Sequence, residues 1–148
     1  TGEGIATVHE MGTRPRLQIA AERRNLVVIR GFVADAATSL RAAPAAVDDM
    51  VQAVDEMAAN TIVHGYHDQA GSIEVEVWRE GKRLAVRLRD QAPPFDPATA
   101  PQPNLALPLE QRRPGGLGIH MSRQLVDAMV HRVTPDGGNE LTLFKKAF

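Results

Sequence analysis

The sequence predicts an α+β two-layer sandwich, with helices on one face of a mixed or antiparallel sheet. Three observations predict it. Residues 25–65 carry apolar side chains at helical spacing in two successive runs. Residues 73–88 alternate apolar and polar about a tight turn. Residues 115–144 then supply one more helix and a closing hairpin. No repeat or domain boundary interrupts the chain, and 148 residues suffice for a core without staples.

Residues 1–13 have no sustained period and read as a flexible N-terminal tail, leaving 14–148 as one domain. In residues 16–20, Leu17 and Ile19 alternate with Arg16 and Gln18, as in a short edge strand. Leu26, Ile29, Phe32, Val33, Ala36, Ala37 and Leu40 mark one face of a first helix running to about Ala42. Pro44 suits the opening turn of a second helix, where its missing N–H is not needed, and Gly65 is its expected stop. Along that helix Val47, Met50, Val51, Val54, Met57 and Ala58 face the core. Ile73, Val75 and Val77 then alternate with Glu74, Glu76 and Trp78, which puts Trp78 on the outward face. Glu80-Gly81-Lys82 turns the chain, and Leu84, Val86 and Leu88 return against Arg83, Arg87 and Arg89.

Residues 91–115 are different in kind. Seven prolines and no period rule out a regular element and mark a lid-like loop. Gly115-Gly116-Leu117-Gly118 opens a third helix, with Ile119, Leu125, Val126 and Met129 on its apolar side. Residues 130–133 and 140–144 close the chain as two strands about Gly137-Gly138.

Composition excludes several functions. There is no cysteine, so neither a disulfide framework nor a thiolate metal site exists. A net charge of −1 lacks the basic excess of a general nucleic-acid binder. No apolar run is as long as a membrane span and the first residues lack a signal-peptide core, so a cytoplasmic protein without membrane association is expected. No Gly-x-Ser-x-Gly or Ser/His/Asp order supports a serine hydrolase.

Three features carry possible chemistry. Glu56 and Asn60 stand one helical turn apart, in line with Asp49 and Ala53 and away from the apolar stripe, while Ala53 and Ala59 leave room nearby. An amide oxygen there suits a metal ion and a carboxylate suits a proton; a solvated helix face is the ordinary alternative. Asp90 keeps the parity of Leu84, Val86 and Leu88, so the buried row ends in a carboxylate that needs a donor. A strand-end turn former is its ordinary reading. Gly115, Gly116 and Gly118 either relax a helix entry or let backbone N–H groups approach phosphate, with Arg112 and Arg113 feeding into them. His64, one turn after Asn60, has no partner at metal-ligand spacing and reads as a supporting or lid contact.

Taken in order, these motifs resemble the GHKL ATPase superfamily, and within it the anti-sigma-factor serine/threonine kinases. The resemblance spans roughly residues 16–148. Asp55-Glu56-Met57-Ala58-Ala59-Asn60 with Val63-His64-Gly65-Tyr66 looks like the N box. Arg89-Asp90-Gln91-Ala92-Pro93-Pro94-Phe95-Asp96-Pro97 looks like the first glycine box, and Pro114-Gly115-Gly116-Leu117-Gly118-Ile119-His120 like the second. Gly138-Asn139-Glu140-Leu141-Thr142-Leu143 is similar to the closing strand. Ala92 departs from the family's usual glycine, beside the backbone that passes adenine.

The resemblance implies the Bergerat type of two-layer fold and a site for ATP and Mg²⁺. Asn60 would hold the metal, and Glu56 would accept a proton from the attacking hydroxyl. Asp90 would accept from the adenine amino group, Gly116 and Gly118 would approach the phosphates, and Thr142 would touch the adenine side. Arg112 or Arg113 would add charge near the γ-phosphate. The implied activity is phosphorylation of a serine on a STAS-type antagonist in a partner-switching circuit, with sequestration of a sigma factor or similar regulator. A homodimer is expected. One alternative is a sequestering module without kinase activity, which Ala92 favours and Glu56 opposes. The other is a histidine-kinase ATP-binding domain, for which an upstream phospho-acceptor helix pair is expected and none is read.

Overall fold

A computed structural model of the chain describes residues 7–11, 14–97 and 116–148. Strand alternation dictates its sheet. The strands are β1 (Thr7–Met11), β2 (Arg14–Ala20), β3 (Ser72–Glu80), β4 (Arg83–Asp90), β5 (Ala128–Val133) and β6 (Asn139–Lys146). They pair in the order β1-β2-β3-β4-β6-β5. All five pairings among the described residues are antiparallel, which selects the antiparallel form of the expected mixed or antiparallel sheet. Short turns connect β3 to β4 and β5 to β6, and such turns join antiparallel neighbours only. Gly81 takes the positive φ, 63°, that a two-residue hairpin loop requires.

The register sorts every side chain to a face. Leu17 and Ile19 lie opposite Val75 and Ile73, Leu88 opposite Val75, and Leu141 opposite Leu88. This row faces the helices α1 (Leu26–Ser39), α2 (Pro44–Asn60) and α3 (Gly116–Leu125). Ile29 and Val33 of α1, Met50, Val54 and Met57 of α2 and Ile119 of α3 join it in one buried cluster. Pro44 is the first residue of α2, as its missing N–H allows. Arg30 clamps α1 to Asp55 of α2 at 2.8 Å, and Lys145 of β6 holds Asp49 of α2 at 3.2 Å.

Several expectations are corrected. The tail read over residues 1–13 contains β1, so β2 is not the edge strand. α1 ends at Ser39 and follows a short 3₁₀ turn at Arg23–Asn25. The stop at Gly65 is reached through a π-helical turn, Thr61–Gly65, because Tyr66 N–H reaches back five residues to Thr61 O at 2.8 Å. Met129 belongs to β5 and not to α3, since the helix ends at Leu125. Trp78 does face away from the helices, yet it is only 5% exposed. Arg14 and Arg87 stack over its ring with centroid distances of 4.1 and 4.8 Å. Beyond Pro97, the lid expected over residues 91–115 lies outside the described residues.

The outward face carries a charged ladder. Arg89 reaches Glu140 at 2.9 Å and Glu74 at 3.2 Å, while Arg132 grips Glu140 at 3.0 Å. Among the described residues no second sheet or helix covers this face, and its charges are paired with one another.

Candidate functional site

A cavity of about 390 Å³ opens at the seam between helices and sheet. That size is in the range of small-molecule sites. Asn60, His64, Asp90 and Ala92 line it, along with the apolar walls Met57, Leu88 and Ile119.

Asp90 is the anchor of this wall. It ends β4 opposite Asn139, and both side chains are buried at 7% exposure. Its Oδ1 accepts from Asn139 Nδ2 at 2.8 Å and from Ala92 N–H at 3.0 Å. Its Oδ2 has one long contact, from the Thr61 hydroxyl at 3.4 Å. Burial raises the Asp90 carboxyl above its ordinary range, and those donors offset only part of that. The carboxylate therefore keeps an acceptor oxygen to spare at the edge of a largely apolar cavity. A ligand amino group would fit it.

Asn139 organises the loop that follows. Its Nδ2 also donates to Ala92 O and Pro93 O, each at 3.2 Å, and its Oδ1 accepts from Phe95 N–H at 2.9 Å. With Nδ2 committed as donor, the 2.7 Å contact between Asn139 Oδ1 and His131 Nε2 requires the proton on Nε2. Tyr66 supports the other side: its hydroxyl donates to Ser72 O at 2.9 Å and accepts from Gln91 N–H at 2.6 Å. The turn before β6 approaches closely as well, since a β-carbon on Gly138 would run into the Asp90 carbonyl oxygen.

The predicted residues divide. Asn60, Asp90, Ala92 and His64 come together in the cavity. Asn60 and Glu56 have side chains that make no hydrogen bond or ion pair among the described residues. Glu56 is half-buried one turn before Asn60, off the cavity wall. Ala53 does not line an open face, for it is fully buried where Ser122 of α3 meets its carbonyl. Gly116 and Gly118 lie in the first turn of α3, whose Ile119 lines the cavity. Arg112, Arg113 and Gly115 lie outside the described residues. Thr142 is a correction: it pairs with Arg87 in the row of Glu140 and Phe144, on the face away from the cavity. The β6 positions that reach the cavity are Asn139 and Leu141. Among the described residues no group of His, Cys, Asp and Glu is arranged to hold a metal ion.

A family profile described as the histidine kinase-like ATPase domain matches residues 19–145. The chain belongs to the histidine kinase-like ATPase domain family. Membership implies ATP binding by this ATPase domain. The anti-sigma F factor of Thermoanaerobacter sp. (strain X514) is 26% identical over 130 residues, covering 87% of this chain and 90% of that one. The serine/threonine-protein kinase BtrW of Bordetella bronchiseptica (strain ATCC BAA-588 / NCTC 13252 / RB50) is 28% identical over 90 residues, 60% of this chain and 63% of that one. The crystal structure of the RsbU and RsbW domains of Rv1364c from Mycobacterium tuberculosis matches 90% of this chain with a TM-score of 0.61 at 20% identity. The ATPase domain spans 32% of that chain, and the likeness is one of fold.

Sequence reasoning missed Thr61, His131 and Asn139. A signal for Asn139 was present. Extending the inward parity of Leu141 and Leu143 back two residues reaches it, by the argument that found Asp90.

Proposed function

We propose that this ATPase domain is an ATP- and Mg²⁺-dependent serine/threonine protein kinase and anti-sigma factor of a partner-switching circuit. Its protein substrate is a STAS-type antagonist, phosphorylated on serine, and its second partner is a sigma factor or similar regulator. The setting is the cytoplasm, and the working form is a homodimer. One observation carries the reading: a single cavity joins a buried carboxylate with an acceptor to spare, Asp90, to a helix amide, Asn60, that is unpaired among the described residues. The names of the relatives in the Thermoanaerobacter and Bordetella comparisons support it.

Each residue then has a task. Asp90 accepts from the amino group of the base and so selects adenine. Asn60 directs its amide oxygen to Mg²⁺, which would neutralise charge on the transferred phosphoryl group. Glu56 orients the serine hydroxyl and takes its proton as oxygen bonds to the γ-phosphorus and the bond to ADP breaks. Gly116 and Gly118 present backbone N–H groups of the first turn of α3 to phosphate oxygens. Arg112 or Arg113 adds positive charge beside them.

The test is phosphate transfer to a STAS-domain protein, wild type against Glu56→Gln. We expect kcat to fall by about 100-fold or more, the usual scale for losing a general base, with little change in ATP affinity. Acid-stable phosphoserine is the expected product, and an acid-labile phosphohistidine would sink the reading. Transfer that persists undiminished in Glu56→Gln would remove Glu56 from its role. A second reading, a sequestering module that binds nucleotide without transferring phosphate, is favoured by the place of Glu56 off the cavity wall. Wild type that binds ATP and never phosphorylates would establish it.

A further inference from the structure

Ala92 stands where the family usually has glycine, and its methyl has a particular neighbour. A β-carbon on Gly65 would lie 3.0 Å from Ala92 Cβ, inside ordinary contact distance, and 3.9 Å from Thr61 Cγ2. The methyl of Ala92 is thus seated over the bare α-carbon of Gly65. Ala92 is only 3% exposed, so it forms part of the cavity wall without standing out into solvent.

Neither side of this contact is free to retreat. Gly65 closes the π-helical turn, whose Thr61 reaches both Met57 O at 3.2 Å and Asp90 Oδ2 at 3.4 Å. Ala92 is fixed through its N–H on Asp90 Oδ1 at 3.0 Å and its carbonyl on Asn139 Nδ2 at 3.2 Å. Anything that pushes Ala92 away from Gly65 also pulls a donor from the Asp90 carboxylate.

We infer that Gly65 and Ala92 are a complementary positioning pair, which sets the gap between the π-helical turn and the 91–95 loop and so aims Asp90 at the base. The alanine is no obstruction to nucleotide, because the missing side chain of Gly65 makes room for it. The consequence for binding rests on the nucleotide reading above, whereas the contact itself does not.

The experiment is a double-mutant cycle on Gly65→Ala, Ala92→Gly and the double variant. Each is titrated with ATP and Mg²⁺ by calorimetry and melted without nucleotide. Coupled neighbours depart from additivity, so we expect Gly65→Ala to weaken ATP about tenfold or more and Ala92→Gly about threefold. The double variant should return to about the affinity of Ala92→Gly. Rescue of this kind is not what a general loss of stability produces. If Gly65→Ala fails to fold, a folded double variant is the same rescue. A double variant as weak as Gly65→Ala, or Ala92→Gly binding more tightly than wild type, overturns the inference. Coupling in the melts without coupling in affinity also overturns it, reducing the pair to packing. If wild type binds neither ATP nor ADP at millimolar concentration, the nucleotide reading fails. Non-additive melting temperatures would then still uphold the contact, and additive ones would end it.

Discussion

Burial raises the Asp90 carboxyl, and the Asn139, Ala92 and Thr61 donors only partly offset it, so this residue is held against its own preference in the fold. The sign follows from proton linkage. Between the ordinary value of 3.8 and the raised folded value, the folded chain binds more protons than the unfolded chain. Stability therefore falls as pH rises through that window, and the whole penalty is present above it. Asp90→Asn removes the charge and keeps an oxygen for the Asn139 and Ala92 donors. Without nucleotide, the variant should melt at or above the wild-type temperature at pH 7, with the advantage shrinking toward pH 3.8. Its ATP affinity should fall by about tenfold or more, equivalent to about 1.4 kcal/mol. A variant that melts lower and binds ATP normally would show Asp90 to be structural. Asp90 was legible because alternation along β4 puts it in the buried row. Its partner Thr61, and His131 behind Asn139, were not, because the π-helical turn and the pairing of β5 on β6 arise from tertiary contacts that no local period reports.

At the scale of elements, one strand serves both faces of the sheet. Asn139 and Leu141 of β6 reach the cavity, while Glu140 and Thr142 lie in the outward row. Neighbouring positions of a strand lie across the sheet from each other, so Thr142, which the resemblance puts on the adenine side, faces away from the cavity that Leu141 lines. Glu140 shows what the outward row does. Burial pushes its carboxyl up, but hydrogen bonds from Arg132 and Arg89 and the charges of Arg89 and Arg87 hold it below its ordinary value. A lowered folded value contributes stability above the unfolded value of 4.5, and that contribution is lost as pH falls through the folded value. Arg132 is largely exposed and contributes little, so the effect rests on Arg87 and Arg89. Glu140→Gln should lower stability by about 2 kcal/mol at pH 7, because it removes the closest of the carboxylates that the partly buried Arg89 guanidinium shares with Glu74 and Glu76. Urea unfolding at pH 7 and pH 3.5 measures it, and the gap between variant and wild type should narrow at the lower pH. A gap that is equal at both would place the effect in packing instead of charge.

At the scale of the molecule, the layer order was legible because helical and alternating periods segregate cleanly along the chain, while β1 was missed within residues 1–13 for want of a sustained period. The cavity lies where the layers meet, with Met57 and Asn60 from α2, Leu88 and Asp90 from β4, and Ile119 from α3. A ligand there touches both layers and can be held only while they are docked. Binding to the folded state alone adds RT ln(1 + [L]/Kd), about 2.7 kcal/mol at a hundred times Kd. For a chain of this length that corresponds to a rise in melting temperature of roughly 5–10 °C. We expect ATP with Mg²⁺ to produce such a rise, and ATP with EDTA a distinctly smaller one. The difference should come from Asn60, because its amide lines the cavity and has no partner among the described residues. In Asn60→Ala the two curves should therefore coincide at the EDTA value, leaving only the Asp90 end of the ligand held. Equal shifts with and without Mg²⁺ in the wild type would take the metal away from Asn60. No shift under either condition would take the nucleotide away from the cavity.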